Sequence, residues 1–127
     1  MTMTESAPRS KLAYWSLLAV KALTALAFVM AGGAKLMGVE MMVATFDAIG
    51  LGQWFRYLTA LIEIGGAVLI FVPGAQLVGA LLLGATMIGA ILSHLLILGP
   101  SAMPATVLLV FSAIIAWAHR DQARKFL

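Results

Sequence analysis

The chain has no cysteine among its 127 residues, so it can run no thiol relay of its own and hold no iron–sulfur cluster. Charge is almost as scarce. Only 10% of the residues are Asp, Glu, Lys or Arg, against about a quarter in an ordinary soluble domain. The two histidines, His94 and His119, fall near opposite membrane surfaces, so a haem held by a histidine pair is not expected. One histidine beside one buried acid is also too few ligands for a metal site, and no metal-ligating or catalytic residues are assigned. Phosphate-cradling glycine loops are missing as well. The glycines are spread through apolar runs as packing residues, as in Ala80 with Gly84, Ala85 with Gly89, and Gly65 with Gly66. Met41, Met42 and Met87 read as flexible apolar filler rather than copper ligands.

What remains is apolar. Hydrophobic residues make up 63% of the chain and the mean hydropathy is +1.07, which is the composition of an integral membrane protein. Four apolar segments can be marked, at about 12–34, 55–72, 75–98 and 103–119. In hydrocarbon each must be helical, because a lone strand would leave its backbone polar groups unpaired. Pro73-Gly74 reads as a tight turn between the second and third, and Gly99-Pro100 to Pro104 as the link to the fourth, with Pro104 placed to open a helix. The expected fold is therefore an all-α membrane protein, a four-transmembrane-helix bundle forming a single domain over residues 1–127.

Residues 36–54 differ in kind. This longest connection carries Glu40 and Asp47 and spaces Met41, Met42, Thr45, Phe46 and Ile49 at helical intervals among polar positions. It predicts an amphipathic or re-entrant segment lying on the membrane or folded over the bundle mouth, with a plain surface loop as the alternative. Gly50 and Gly52 would end it, and Trp54 and Tyr57 suit the interfacial aromatic belt.

Basic residues orient spans by gathering on the cytoplasmic side. Arg9 and Lys11 precede the first span, and Arg120, Arg124 and Lys125 follow the fourth. Both termini are accordingly expected in the cytoplasm and residues 36–54 outside. The net charge of +3 then reads as an orientation signal, with no nucleic-acid partner implied. Ala31-Gly32-Gly33-Ala34 after an apolar run superficially matches a signal-peptide cleavage site, but the run is too long and contains Lys21. A retained first span is expected.

Glu63 stands inside the second apolar run, and a carboxylate at membrane depth is a functional-site candidate once a partner can be named. At 1.5 Å per residue it lies about 10 Å below Arg56. Lys35 closes the first span, and His94 comes four residues before the end of the third. Three helices thus bring Lys35, Arg56, Glu63 and His94 to one outer-leaflet level. Arg56, Thr59, Ala60, Glu63, Gly66 and Ala67 share a face of polar or small residues, as do Gly79, Leu83, Thr86, Ala90 and Ser93 on the third span, and such faces pack inward. Lys21 lies fourteen residues before Lys35 and nearly on its face, or it snorkels to the headgroups. Lys21, Asp47 and Trp54 make a secondary set around the cluster.

The Gly32-Gly33-Ala34-Lys35-Leu36 run, the segment from Phe46 to Gly52 leading into Trp54-Phe55-Arg56-Tyr57, Glu63-Ile64-Gly65-Gly66 and Ser93-His94 resemble the DoxX family of small four-span membrane proteins. The resemblance covers about residues 21–117. It implies a multi-pass protein of the bacterial inner (plasma) membrane, with Lys35, Glu63 and His94 as the family's polar cluster. It also implies association with membrane redox or oxidative-stress complexes, although a chain without cysteine departs from relatives working beside disulfide chemistry.

Two functional classes follow. In one, the cluster lines an outward-opening pocket capped by residues 36–54, which takes a quinone, lipid or other small amphiphile while the protein serves as an accessory redox-complex subunit. No other cofactor is implied. In the other, the chain is a scaffold or assembly chaperone and the charges are an interhelical lock. A proton-coupled transporter is a third reading that needs a homo-oligomer, for which helix faces rich in Gly79, Gly84 and Gly89 are available.

Overall fold

Ser10 opens the first helix by accepting a hydrogen bond from the Ala13 N–H at 3.1 Å, satisfying one of the donors that every helix start leaves free. The resulting helix, α1, runs Lys11–Met37 in a computed structural model that describes residues 10–99 and 101–126. Arg9 and Pro100, used in the orientation and turn readings, lie outside the described residues. At 27 residues, α1 is about 40 Å long, more than the ~30 Å of a bilayer core. It ends at Gly38, whose left-handed φ of 68° lets its N–H turn back to the Ala34 and Lys35 carbonyls. The helix therefore passes the expected end near residue 34 and takes Lys35 into its last turn, where a cation suits the helix dipole.

Residues 36–54 contain a helix, α2 (Glu40–Ile49), stopped by Gly50. Phe46 is its buried residue and meets the Phe55 ring edge-on at 5.9 Å. Helix α3 spans Trp54–Leu69. It stops short of the expected residue 72 because Pro73 disfavours helical geometry in the residue before it, and Phe71 and Val72 instead close tight turns onto Val68 and Leu69. Helix α4 (Gln76–Ser93) continues into a π-helical turn, His94–Leu98. Helix α5 (Met103–Ala118) has proline in its first turn. A 3₁₀ turn, Arg120–Phe126, then leaves the axis of α5 by 68°.

The protein is all-helical over its described elements and its outward faces are apolar. Leu12, Trp15, Leu26, Met30, Leu61, Leu81, Leu96 and Val110 all project away from the packed interior, which suits hydrocarbon rather than water as solvent. By length and composition, Lys11–Met37 and Gln76–Leu98 can each cross a membrane, and α5 joins them as a third candidate only together with its bent tail. Helix α3, at 16 residues, measures about 24 Å.

Helix α1 packs on α3, α3 on α4, α4 on α5, and α5 back on α1. Phe28, Ala67, Ile70, Ala80, Leu83, Met87, Ala105 and Ile115 form the core. Two of these contacts depend on missing side chains. A Cβ on Gly79 would stand 2.9 Å from the Gly66 carbonyl oxygen and 3.0 Å from the Ile70 nitrogen, so backbone meets backbone between α3 and α4. A Cβ on Gly32 would stand 3.1 Å from the Ala60 carbonyl oxygen and 2.7 Å from Ile64 Cγ1, which sets the approach of α1 to α3.

Gly79→Ala is expected to cost about 1–3 kcal/mol, because backbone cannot yield as a flexible side chain would. Gly89→Ala, whose Cβ would meet nothing within 4 Å, is expected to be neutral. Thermal unfolding of the two variants in one detergent checks this, and equal midpoints would refute the packing account.

Candidate functional site

Spacing along α3 decides what faces inward. Its buried residues are Arg56, Ala60, Glu63, Gly66 and Ala67, separated by three or four positions and so lying along one side of a 3.6-residue helix. On α1 the buried residues Thr24, Phe28 and Gly32 continue at the same spacing to Lys35 in one direction and to half-buried Lys21 in the other. The two lysines thus end one stripe, and the Lys35 end lies against Glu63.

Lys35 Nζ stands 2.9 Å from Glu63 Oε1, with side-chain exposures of 13% and 2%. An isolated charge at that depth would be strongly disfavoured, so each group makes the other tolerable. Arg56, also buried, does not reach the carboxylate through any ion pair described. Its Nη1 donates to the Lys35 carbonyl oxygen, which also accepts from the capping Gly38 N–H, and its guanidinium stacks 4.4 Å from the centre of the Tyr57 ring. Gly38 is required by its left-handed φ rather than by this approach, since a Cβ there would lie at an ordinary contact distance of 3.4 Å from Arg56 Nη1.

From Arg56 the connection runs on through a residue that sequence reasoning passed over. Arg56 Nε donates to Gln53 Oε1 at 2.7 Å. Gln53 Nε2 donates to Asp47 Oδ1 at 2.9 Å and to the Val43 carbonyl oxygen at 3.0 Å. One neutral amide therefore bridges a buried cation and an acid on α2, using acceptor and donors at once. Its signal was available in the position of a polar residue three before Arg56, one turn away on the entry to the same helix, but attention to charged residues alone misses it.

The other expected residues fall as follows. Asp47 belongs to the network through Gln53. Trp54 is 62% exposed and touches the Phe55 ring edge-on, outside the network. His94 opens the π turn, against which α2 packs. Its Nδ1 is buried without a hydrogen-bond partner, and among the described residues no hydrogen bond joins it to Glu63. No three His, Asp or Glu side chains among the described residues converge on a metal-sized point. An apolar groove of about 590 Å³ lies apart from the cluster, between α4 and α5.

These features define a helical membrane protein with an interhelical ion pair buried near the end of its first helix. The chain belongs to the DoxX-like family, whose model matches residues 19–118. No curated protein and no solved structure matches it.

Gln53→Ala removes the acceptor of Arg56 and the donor to Asp47 together, and is expected to destabilise the attachment of α2 by about 1–3 kcal/mol. Hydrogen exchange should quicken in residues 40–49 while the middle of α4 keeps its protection. Unchanged exchange in α2 would mean that the bridge does not hold it.

Proposed function

We propose that this protein is a four-span, non-catalytic accessory or assembly subunit of the bacterial inner membrane, with both termini cytoplasmic, and that Lys35 and Glu63 lock α1 to α3. The single observation that carries the reading is the direct 2.9 Å contact between the two charged groups inside the packed helices. A buried pair of this kind holds helices in register. For α3 to cross, the apolar residues Ile70, Phe71 and Val72 after its end supply the missing depth. Helix α5 supplies the fourth crossing, with its basic tail on the cytoplasmic side. Helix α2, tied by Gln53, then lies over the outer end of α1 and α3 and offers a partner subunit a rigid surface.

A second reading, in which the same end receives the polar head of a quinone or lipid as part of a membrane redox complex, is favoured by one observation. His94 Nδ1 is buried and unpartnered at the start of a π turn, a local geometry frequent at functional sites.

Single and double substitutions separate the two. Lys35→Met or Glu63→Gln alone leaves a buried group without its partner and is expected to lower stability by about 3 kcal/mol. The double variant should recover most of that loss. Unfolding in lipid-matched detergent reads the cycle. A Glu63→Gln protein as stable as the parent would overturn the lock, and a His94→Ala protein that loses a copurifying quinone at unchanged stability would establish the second reading.

A further inference from the structure

The groove between α4 and α5 has a polar end and an apolar body. Ala80 and Gly84 on α4, with Ser112, Ala113 and Ala116 on α5, are small enough to leave it open, and Trp117 and Arg120 stand at one mouth. Ser112 is fully buried at its floor and donates to the Leu108 carbonyl oxygen at 2.8 Å, so its hydroxyl proton is turned back into its own helix. The Arg120 guanidinium lies 4.2 Å over the Trp117 ring and donates from Nη1 to the Trp117 carbonyl oxygen at 2.7 Å. Among the described residues it makes no ion pair, so donors remain for an anion.

We infer that this groove is a binding site for an anionic phospholipid, whose acyl chain lies between α4 and α5 and whose phosphate meets Arg120. The dimensions fit that occupant. The groove extends along α5 from Arg120 back to Leu109, eleven residues or about 16 Å, which matches one leaflet of a ~30 Å hydrocarbon core. The cation and the indole sit where headgroup and acyl region meet. A second copy of the chain fits less well. A two-fold contact through the same face would set apolar side chains and a second Arg120 against the first, two like charges, and Asp121, the acid of that turn, is not part of the groove lining.

The test uses the full-length protein in detergent, titrated with phosphatidylglycerol or phosphatidylcholine of identical chains and read by native mass spectrometry. The parent should retain phosphatidylglycerol preferentially. Arg120→Gln should weaken that lipid about fivefold, as expected for one cation near an anionic headgroup, and weaken phosphatidylcholine, whose phosphate is balanced by its own choline, by less. Arg124→Gln, in the same tail but outside the groove, should change neither. Ala113→Leu projects from an exposed position on the rim and should abolish retention of both lipids without disturbing the fold. Equal retention of the two lipids by the parent, an Arg124→Gln effect as large as that of Arg120→Gln, or a dimer that Ala113→Leu dissociates with no lipid retained would each overturn the assignment.

Discussion

Hydrocarbon offers nothing to a charged side chain, so a carboxylate on the inner face of α3 needs its counter-charge in contact. Much of that end of the bundle is arranged by that need. Helix α1 carries three residues beyond its apolar run and so holds Lys35 in its final turn. Gly32, one turn earlier, lets α3 come close enough for the ammonium to touch Glu63. At that end of α1 the Lys35 carbonyl accepts the capping Gly38 N–H at 3.2 Å, and Arg56 adds a second donor to the same oxygen. The guanidinium needs an acceptor in turn, which Gln53 provides while also reaching Asp47. The polar network is thus a chain of consequences running outward from one buried acid.

The other end of the molecule uses the same economy without an ion pair. The start of α4 would leave N–H groups exposed to an apolar surrounding. Gln122, from the 3₁₀ turn after α5, accepts from the Leu77 N–H at 2.9 Å and donates to Gln76 Oε1 at 2.5 Å. Lys125 donates to the Gly74 carbonyl oxygen at 2.5 Å. The basic tail that reads in the sequence as an orientation signal is therefore also a clasp across the α3–α4 turn, and one of its lysines is engaged there.

Period and depth made the inward stripe of α3 legible before any coordinates, because burial follows from 3.6 residues per turn once Arg56 and Glu63 are placed on one side. The common level of Lys35 and Glu63 was legible for the same reason, and the structure makes it a pair. Three features were not. The end of α3 at Leu69 is invisible to hydropathy, since Ile70, Phe71 and Val72 remain apolar while the chain turns. The π turn at His94 is a backbone choice with no side-chain signature. Gln53 and Gln122 are neutral, and a search for charges passes over both even though each bridges two elements.

Gly79, Gly84 and Gly89 illustrate how far a motif underdetermines a role. Residues five apart on a helix are turned by about 140° from one another, so these three cannot form one small-residue face, although their repetition invites that reading. Gly79 is buried where α3 and α4 meet backbone to backbone, Gly84 opens the groove toward α5, and Gly89 faces outward with nothing near its missing side chain. An oligomer built on α4 would therefore have to use a face other than the one through which α3 is packed. Gly84 lies on a concave groove toward α5, and it is the end of that groove, not the glycine, that carries the charge.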